Sequence, residues 1–166
     1  VDLLSEGRLE LGIGTGWDEA DYSASGIRRD EPSVRVNRLV EALQVLRGLW
    51  EPGRLDFQGE HYEVHLDGLP KPGSGRPKLI VGGGKRRMLE TAARYADVVG
   101  LSMGGILRRA DMGDAMAAAA ELTDRRIEWV LGASGERFDQ LEFNVLLFGV
   151  EVGDRAEGAE RIAEAW

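Results

Sequence analysis

The stretch Leu9–Glu10–Leu11–Gly12–Ile13–Gly14–Thr15–Gly16–Trp17 decides how the rest of the chain is read. A short apolar run feeds a glycine-spaced loop that ends on an aromatic residue. Glycine removes Cβ bulk, so a ligand can approach the backbone of such a loop closely. At least three nucleotide- or flavin-type folds carry a loop of this kind. The elements downstream of the loop separate them.

A Rossmann dinucleotide site needs G-x-G-x-x-G, an immediate helix, and an acid about 20 positions on at the end of the next strand. Here the glycines are Gly12, Gly14 and Gly16, and no strand comes until a hairpin. A methyltransferase loop of the form E-x-G-x-G-x-G, which holds S-adenosylmethionine, matches Glu10, Gly12, Gly14 and Gly16. That fold also wants a next strand ending in an acid, and a long amphipathic helix stands there instead. The third reading is a (β/α) barrel, in which loops after several strands build one pocket at the strand C-termini.

The order of elements supports the third. Arg8–Gly14 reads as a strand, followed by a loop of acidic and small residues. Pro32 and Ser33 open a helix whose apolar positions Val36, Leu39, Val40, Leu43, Leu46 and Trp50 follow helical spacing, and Pro52–Gly53 stops it. Arg54–Phe57 and His61–Val64 flank Gln58–Gly59–Glu60 as a β-hairpin, and Leu69–Gly75 is an extended linker. Lys78–Gly82 is a short strand running into Gly82–Gly83–Gly84. A helix over Lys85–Ala96 turns Met88, Leu89, Ala92 and Ala93 inward, and Asp97–Leu101 is the next strand. An alanine-rich helix over 111–124, a second helical piece over 125–133, a strand over Leu141–Val150 and a helix from Arg155 complete the chain. Strands alternating with helices imply a parallel sheet with helical crossovers, here about four βα units.

Two loops then stand at strand C-termini: Gly14–Trp17 and Gly82–Gly84. The second opens a helix and is followed by Lys85, Arg86 and Arg87. Free N–H groups at a helix start beside cations suit a phosphate. The plain alternative is a tight turn with solvated cations.

Composition narrows the function. The chain has 166 residues and a formal charge of −8, so a nucleic-acid partner is not expected. It has no cysteine, which excludes disulfides and thiol catalysis and fits a cytoplasmic location. Its two histidines, His61 and His65, fall in the predicted hairpin, so no metal site is expected. No apolar run reaches membrane-spanning length and no signal peptide is read.

Taken together, these residues resemble the luciferase-like monooxygenases, flavin- or deazaflavin (F420)-dependent barrel enzymes. The resemblance is carried by Ser5, Gly7, Arg8, Leu9, Leu11, Gly12, Gly14, Gly16 and Trp17, and it continues in order through "LRGLW" (46–50), "FQGEHYEV" (57–64) and "PKLIVGGGKRRMLETAARYADVVGL" (77–101). "GERFDQLEFNV" (135–145) is similar to a subgroup assigned to F420. The resemblance implies an α/β fold: a partial (β/α)8 TIM barrel of the bacterial-luciferase type, with residues 1–166 as strands four to seven and 53–76 as an inserted hairpin and linker. A full barrel takes about 250 residues, so 166 reads as its middle. It further implies coenzyme F420, or alternatively FMN, and a small-molecule substrate, with hydride transfer or oxygen insertion as the reaction. Gly14, Thr15, Gly16 and Trp17 are expected to line the ring or substrate side of the pocket, joined by Asp18 and Tyr22. Gly82, Gly83 and Gly84 are expected to hold the cofactor phosphate or side chain. The family's acid or base comes from strands outside this stretch, so no catalytic residue is assigned. The competing expectation is a non-enzymatic remnant or an assembly-dependent half, whose exposed barrel edges favour self-association into a homo-oligomer.

Other residues read as structural. Asp97, at a strand start, is expected to hydrogen-bond within the scaffold. Glu142 and Asn144 share one strand face, expected to be a buried polar layer. Asp18, Glu19 and Asp21 are expected to be a solvated lid, and Ala115–Ala120 helix packing.

Overall fold

The protein is described by a computed structural model covering residues 1–67, 75–102 and 112–145. Its elements are β1 (Glu10–Ile13), α1 (Glu19–Ser25), α2 (Pro32–Trp50), β2 (Leu55–Gln58), β3 (Glu63–Leu66), β4 (Lys78–Gly83), α3 (Arg86–Tyr95), β5 (Val98–Leu101), α4 (Met112–Ser134) and β6 (Glu142–Val145). Short 3-10 turns cover Leu3–Ser5 and Gly135–Gln140.

Strands β1, β4, β5 and β6 form one sheet in that order, every neighbour parallel. Each crossover moves the chain to the next position, so the described sheet has no reversal of strand order. A doubly wound dinucleotide fold binds its ligand at such a reversal. Right-handed crossovers that step one way lay all their helices on one face, as the wall of a barrel requires. The chain therefore has part of a (β/α) barrel fold.

Alternation along the strands sorts the two faces. Leu79 and Val81 of β4 and Val99 and Leu101 of β5 are buried against the helices, with Leu11 and Ile13 of β1 partly buried beside them. Met88, Leu89, Ala92 and Ala93 of α3 meet them, as helical spacing predicts, together with Leu39 and Leu43 of α2 and Val130 of α4. Leu43, Leu79 and Leu89 have no solvent exposure, so truncating any of them to alanine costs about 2–5 kcal/mol. Glu10, Gly12, Lys78, Ile80, Gly82, Val98, Gly100, Glu142 and Asn144 occupy the opposite face by register.

The antiparallel pair β2–β3 stands apart from the main sheet, two residues later than its sequence pattern predicts in the second strand. It docks on α2. The Glu41 carboxylate accepts from the N–H groups of Glu60 (2.9 Å), His61 (2.8 Å) and Tyr62 (3.1 Å). Gly48 of α2 leaves room for Leu55, whose Cδ1 lies 2.5 Å from where a Cβ at 48 stands.

Three expectations are corrected. Residues 19–25 form α1 rather than a loop, because Asp18 accepts from Ala20 N–H at 2.8 Å and Gly26 closes the helix at φ 66°. The acidic cluster is thus the cap and first turn of that helix, and Glu19 pairs with Arg29 at 3.0 Å. The two helical pieces predicted over 111–133 are one helix, α4. Thr123 sits inside it with its hydroxyl donating to Ala119 O at 2.7 Å, which satisfies a residue of low helix propensity without breaking the helix. Glu142 and Asn144 are exposed in this chain rather than buried. Most of the predicted linker, the end of the last strand and the helix from Arg155 lie outside the described residues. Among the described residues no helix is long and apolar enough to cross a membrane.

Asp97 holds the far edge of the sheet. Its carboxylate accepts from Leu79 N–H at 2.9 Å and from Arg76 Nη2 at 2.6 Å, with Arg47 at 4.0 Å. Its own N–H donates to Leu79 O, and its carbonyl accepts from Glu142 N–H, both at 2.9 Å. Burial alone raises its pKa, but the Arg76 pair and the Leu79 N–H outweigh that and hold it below the usual carboxylate range. One residue thereby joins the starts of β4, β5 and β6, the end of the sheet opposite the glycine loops.

Candidate functional site

Parallel strands bring all their C-terminal ends to one edge. Here that edge gathers residues 14–17 after β1, Gly82–Gly84 at the end of β4, and Ser102 after β5.

The first loop is fastened from two sides. Tyr22 of α1 donates its hydroxyl to Thr15 O at 2.9 Å. Arg35 of α2 donates through Nη1 to the same carbonyl at 3.1 Å and also to Gly16 O. Its guanidinium stands 6.0 Å from the Tyr22 ring centre, where a cation meets the π face. Gly16 is left-handed at φ 69°, and a Cβ there stands 2.5 Å from Tyr22 Oη, so only glycine lets the tyrosine close on the loop. Trp17 is displayed rather than packed, 83% exposed. With Asp21, Ser25 and Ile27 it lines an open hollow beside α1, a place that does not include the β4 glycines.

The three β4 glycines have three different surroundings. Gly83 faces the helices: a Cβ there collides with Met88 Cγ, so its bareness serves packing. Gly82 faces the other side, where a Cβ meets Gly100 O at an ordinary 3.4 Å. Gly84 follows the strand, and a Cβ there stands 3.0 Å from Arg126 Nη2 and 3.3 Å from Ser102 O. Gly100, which has no glycine run around it to mark it in the sequence, is the register partner of Gly82. Ile13 is level with Val81, so Gly14 leaves β1 at the height of Gly82. Gly14, Gly82 and Gly100 thus form a level without side chains across three strands, with Asn144 next to it on β6.

Helix α3 begins beside this level. Leu89 N–H and Met88 N–H both use Lys85 O, so the N–H groups of Arg86 and Arg87 have no acceptor within the helix, and Lys85 supplies no side-chain cap. Of the three cations, Arg86 is paired with Glu90 at 2.7 Å and Arg87 donates to Asn37 Oδ1. Lys85 is exposed at the helix start. Arg126 of α4 is 5% exposed and donates through Nε to Gly84 O at 3.2 Å and through Nη1 to Ser102 O at 2.6 Å. Burial lowers its pKa, although a guanidinium stays charged at neutral pH.

The histidines serve the hairpin. His65 Nδ1 meets Asp56 Oδ1 at 2.8 Å and Nε2 meets Glu63 Oε1 at 3.2 Å, and these partners raise its pKa. Among the described residues no cluster of three metal-binding side chains exists. The segment "GERFDQLEFNV" is mostly scaffold. Arg137 donates to the carbonyls of Ala93 (2.8 Å), Arg94 (2.5 Å) and Ala96 (2.8 Å), closing the C-terminus of α3. Phe138 and Phe143 meet with their rings tilted by 59° and their centres 5.9 Å apart.

The family profile described as luciferase-like monooxygenase matches residues 1–166. An FMNH(2)-dependent dimethylsulfone monooxygenase of Pseudomonas fluorescens is 35% identical over 123 residues, 72% of this chain and 34% of that protein. A pyrimidine monooxygenase RutA of Variovorax paradoxus is 34% identical over 99 residues, 58% of this chain and 27% of that protein. The chain therefore spans about a third of the length of these curated relatives. EDTA monooxygenase from Chelativorans sp. BNC1 superimposes with a TM-score of 0.66 at 20% identity, covering 98% of this chain and 42% of that one. An F420-dependent secondary alcohol dehydrogenase superimposes with a TM-score of 0.58 at 18% identity, covering 88% and 41%.

Proposed function

Because the chain belongs to the luciferase-like monooxygenase family, we propose that its strand ends form one wall of a pocket for a reduced flavin, in an enzyme that oxygenates a small organic molecule. The observation that carries this reading is the side-chain-free level of Gly14, Gly82 and Gly100. A planar ring needs a broad surface it can approach to van der Waals distance, and a Cβ at Gly14 meets nothing within 4 Å while one at Gly82 meets only backbone. The unpaired N–H groups at the start of α3, with Lys85 beside them, suit the phosphate that such a cofactor carries. Gly14, Thr15, Gly16 and Trp17 line the ring or substrate side together with Gly82, and Gly83 and Gly84 shape the phosphate side, Gly83 by letting Met88 close beneath the loop. When bound, the reduced flavin supplies the electrons for oxygen insertion. The chain's own part is to hold that group and to keep the loop carbonyls turned onto Tyr22, Arg35 and Arg126.

Reduced FMN is preferred over F420 on two grounds. The relatives above 30% identity carry FMNH(2) or monooxygenase chemistry in their names. The segment that resembles the F420 subgroup is here occupied with capping α3 and packing Phe138 at a tilt against Phe143. F420 is the second reading, favoured by the likeness of fold to the F420-dependent dehydrogenase.

Anaerobic equilibrium dialysis of the full-length protein against reduced FMN, reduced F420 and S-adenosylmethionine tests the proposal. Tighter retention of reduced FMN is expected. Tighter retention of F420 moves the enzyme to hydride transfer, and retention of S-adenosylmethionine alone overturns the reading.

A further inference from the structure

We propose that Arg47, with Arg76 and Arg137 beside it, forms a second ligand site for a small oxyanion, at the end of the sheet opposite the glycine loops. The inference does not rest on the flavin reading, because the two places lie at opposite ends of β4 and β5.

The three arginines gather around one carboxylate, and two of them are fully committed. Arg76 takes both oxygens of Asp97, through Nη1 to Oδ2 and through Nη2 to Oδ1 at 2.6 Å. Leu79 N–H takes Oδ2 as well, at 2.9 Å. Arg137 donates to the carbonyls of Ala93, Arg94 and Ala96. Arg47, in the last turn of α2, is left over. It comes only within 4.0 Å of Asp97 Oδ1, beyond hydrogen-bond distance. Its Nε is buried and has no hydrogen-bond partner.

Charge adds to the missing bond. The cations facing Arg47 are Arg76 and Arg137, against the single carboxylate of Asp97. Glu51 acts on Arg76 and not on Arg47. Tyr95, whose hydroxyl accepts from Gln44 at 3.1 Å, completes the surroundings. Burial first, and then the two like charges, push the Arg47 pKa down, and Asp97 offsets this only in part. The guanidinium nevertheless stays charged at neutral pH. A cation held beside like charges, with a buried donor unpaired, is destabilising as it stands. An oxyanion removes both defects, since it supplies negative charge and accepts two N–H groups of one guanidinium fork. The place is open to solvent, with Arg47 32% and Arg76 33% exposed. No hydrogen bond fastens Arg47 Nε where it is, so the side chain is free to turn that edge toward an arriving anion.

Calorimetric titration of the full-length protein with inorganic phosphate, at fixed ionic strength in chloride, tests the site in wild type, Arg47→Gln and Arg47→Lys. Phosphate held at the flavin pocket contributes alike to all three and cancels. Arg47→Gln is expected to lose a binding event of the wild type, or to weaken it about tenfold or more. Arg47→Lys, which keeps the charge without the fork, is expected to fall between them and serves on its own if the glutamine variant does not fold. Thermal melts give a second readout. In chloride alone Arg47→Gln is expected to melt no lower than wild type, and phosphate is expected to raise wild type more than the variant. Equal phosphate binding by all three proteins overturns the site. A glutamine variant whose melting point falls equally in chloride and in phosphate also overturns it, because that is the behaviour of a scaffold residue. Acetate in place of phosphate separates the two sources of oxyanion: Arg47-dependent binding that is tighter for acetate assigns the site to a carboxylate, and tighter for phosphate to a phosphate group.

Discussion

Tyr22 and Thr15 are joined by a 2.9 Å hydrogen bond from the phenol to the loop carbonyl, across a left-handed glycine that leaves no room for a side chain between them. Helix α1 thus acts on the first loop through one hydroxyl. Tyr22→Phe keeps the ring and removes that bond. We expect a stability loss of about 1 kcal/mol or less and flavin binding weakened about 3- to 10-fold, read from thermal melts and dialysis. Unchanged binding removes Tyr22 from the site.

Gly82 and Gly83 are neighbours with opposite duties. Gly82→Ala places a methyl in ordinary contact on the open face, so the fold is expected to tolerate it while ring binding weakens. Gly83→Ala drives into Met88 Cγ and is expected to cost about 1–3 kcal/mol in urea melts. The reverse pattern contradicts the assignment of faces.

Much of this architecture is legible in the sequence. The apolar spacing of α3 names its buried residues, and strand–helix alternation predicts the parallel sheet. Helix α1 escapes because seven residues hold too few turns to display a period, leaving only Asp18 and Gly26 as signals. The three roles of Gly82, Gly83 and Gly84 escape because consecutive glycines carry no pattern of their own. Gly100 escapes because only its register with Gly82 marks it. Arg126 lies 42 residues from the carbonyl it holds, and nothing local announces such a pairing.

Asp97 and Arg126 anchor opposite ends of β4 and β5. Asp97→Asn is expected to destabilise the fold by about 2–3 kcal/mol without changing the preference for FMN over riboflavin. Because its folded pKa is depressed, its contribution is present above the ordinary carboxylate pKa of 3.8 and is lost as pH falls through the lower folded value. Acid melts of wild type and Asp97→Asn that run in parallel at low pH and diverge toward neutrality check the sign.

His65 responds in the other direction. Its folded pKa is raised above 6.5 by Asp56 and then Glu63. The stabilisation it gives the hairpin is present below that value and is lost as pH rises through the folded pKa. An NMR titration is expected to place His65 above 6.5 and to drop on Asp56→Asn. A wild-type value at or below 6.5 is the contrary result.

The most direct measurement is a crystal structure of the full-length protein with FMN bound. The ring is expected against Gly14, Gly82 and Gly100, with phosphate oxygens about 3 Å from the N–H groups at the start of α3. A phosphate bound away from Gly84–Arg87, or a ring that leaves the glycine level uncovered, contradicts the proposed pocket.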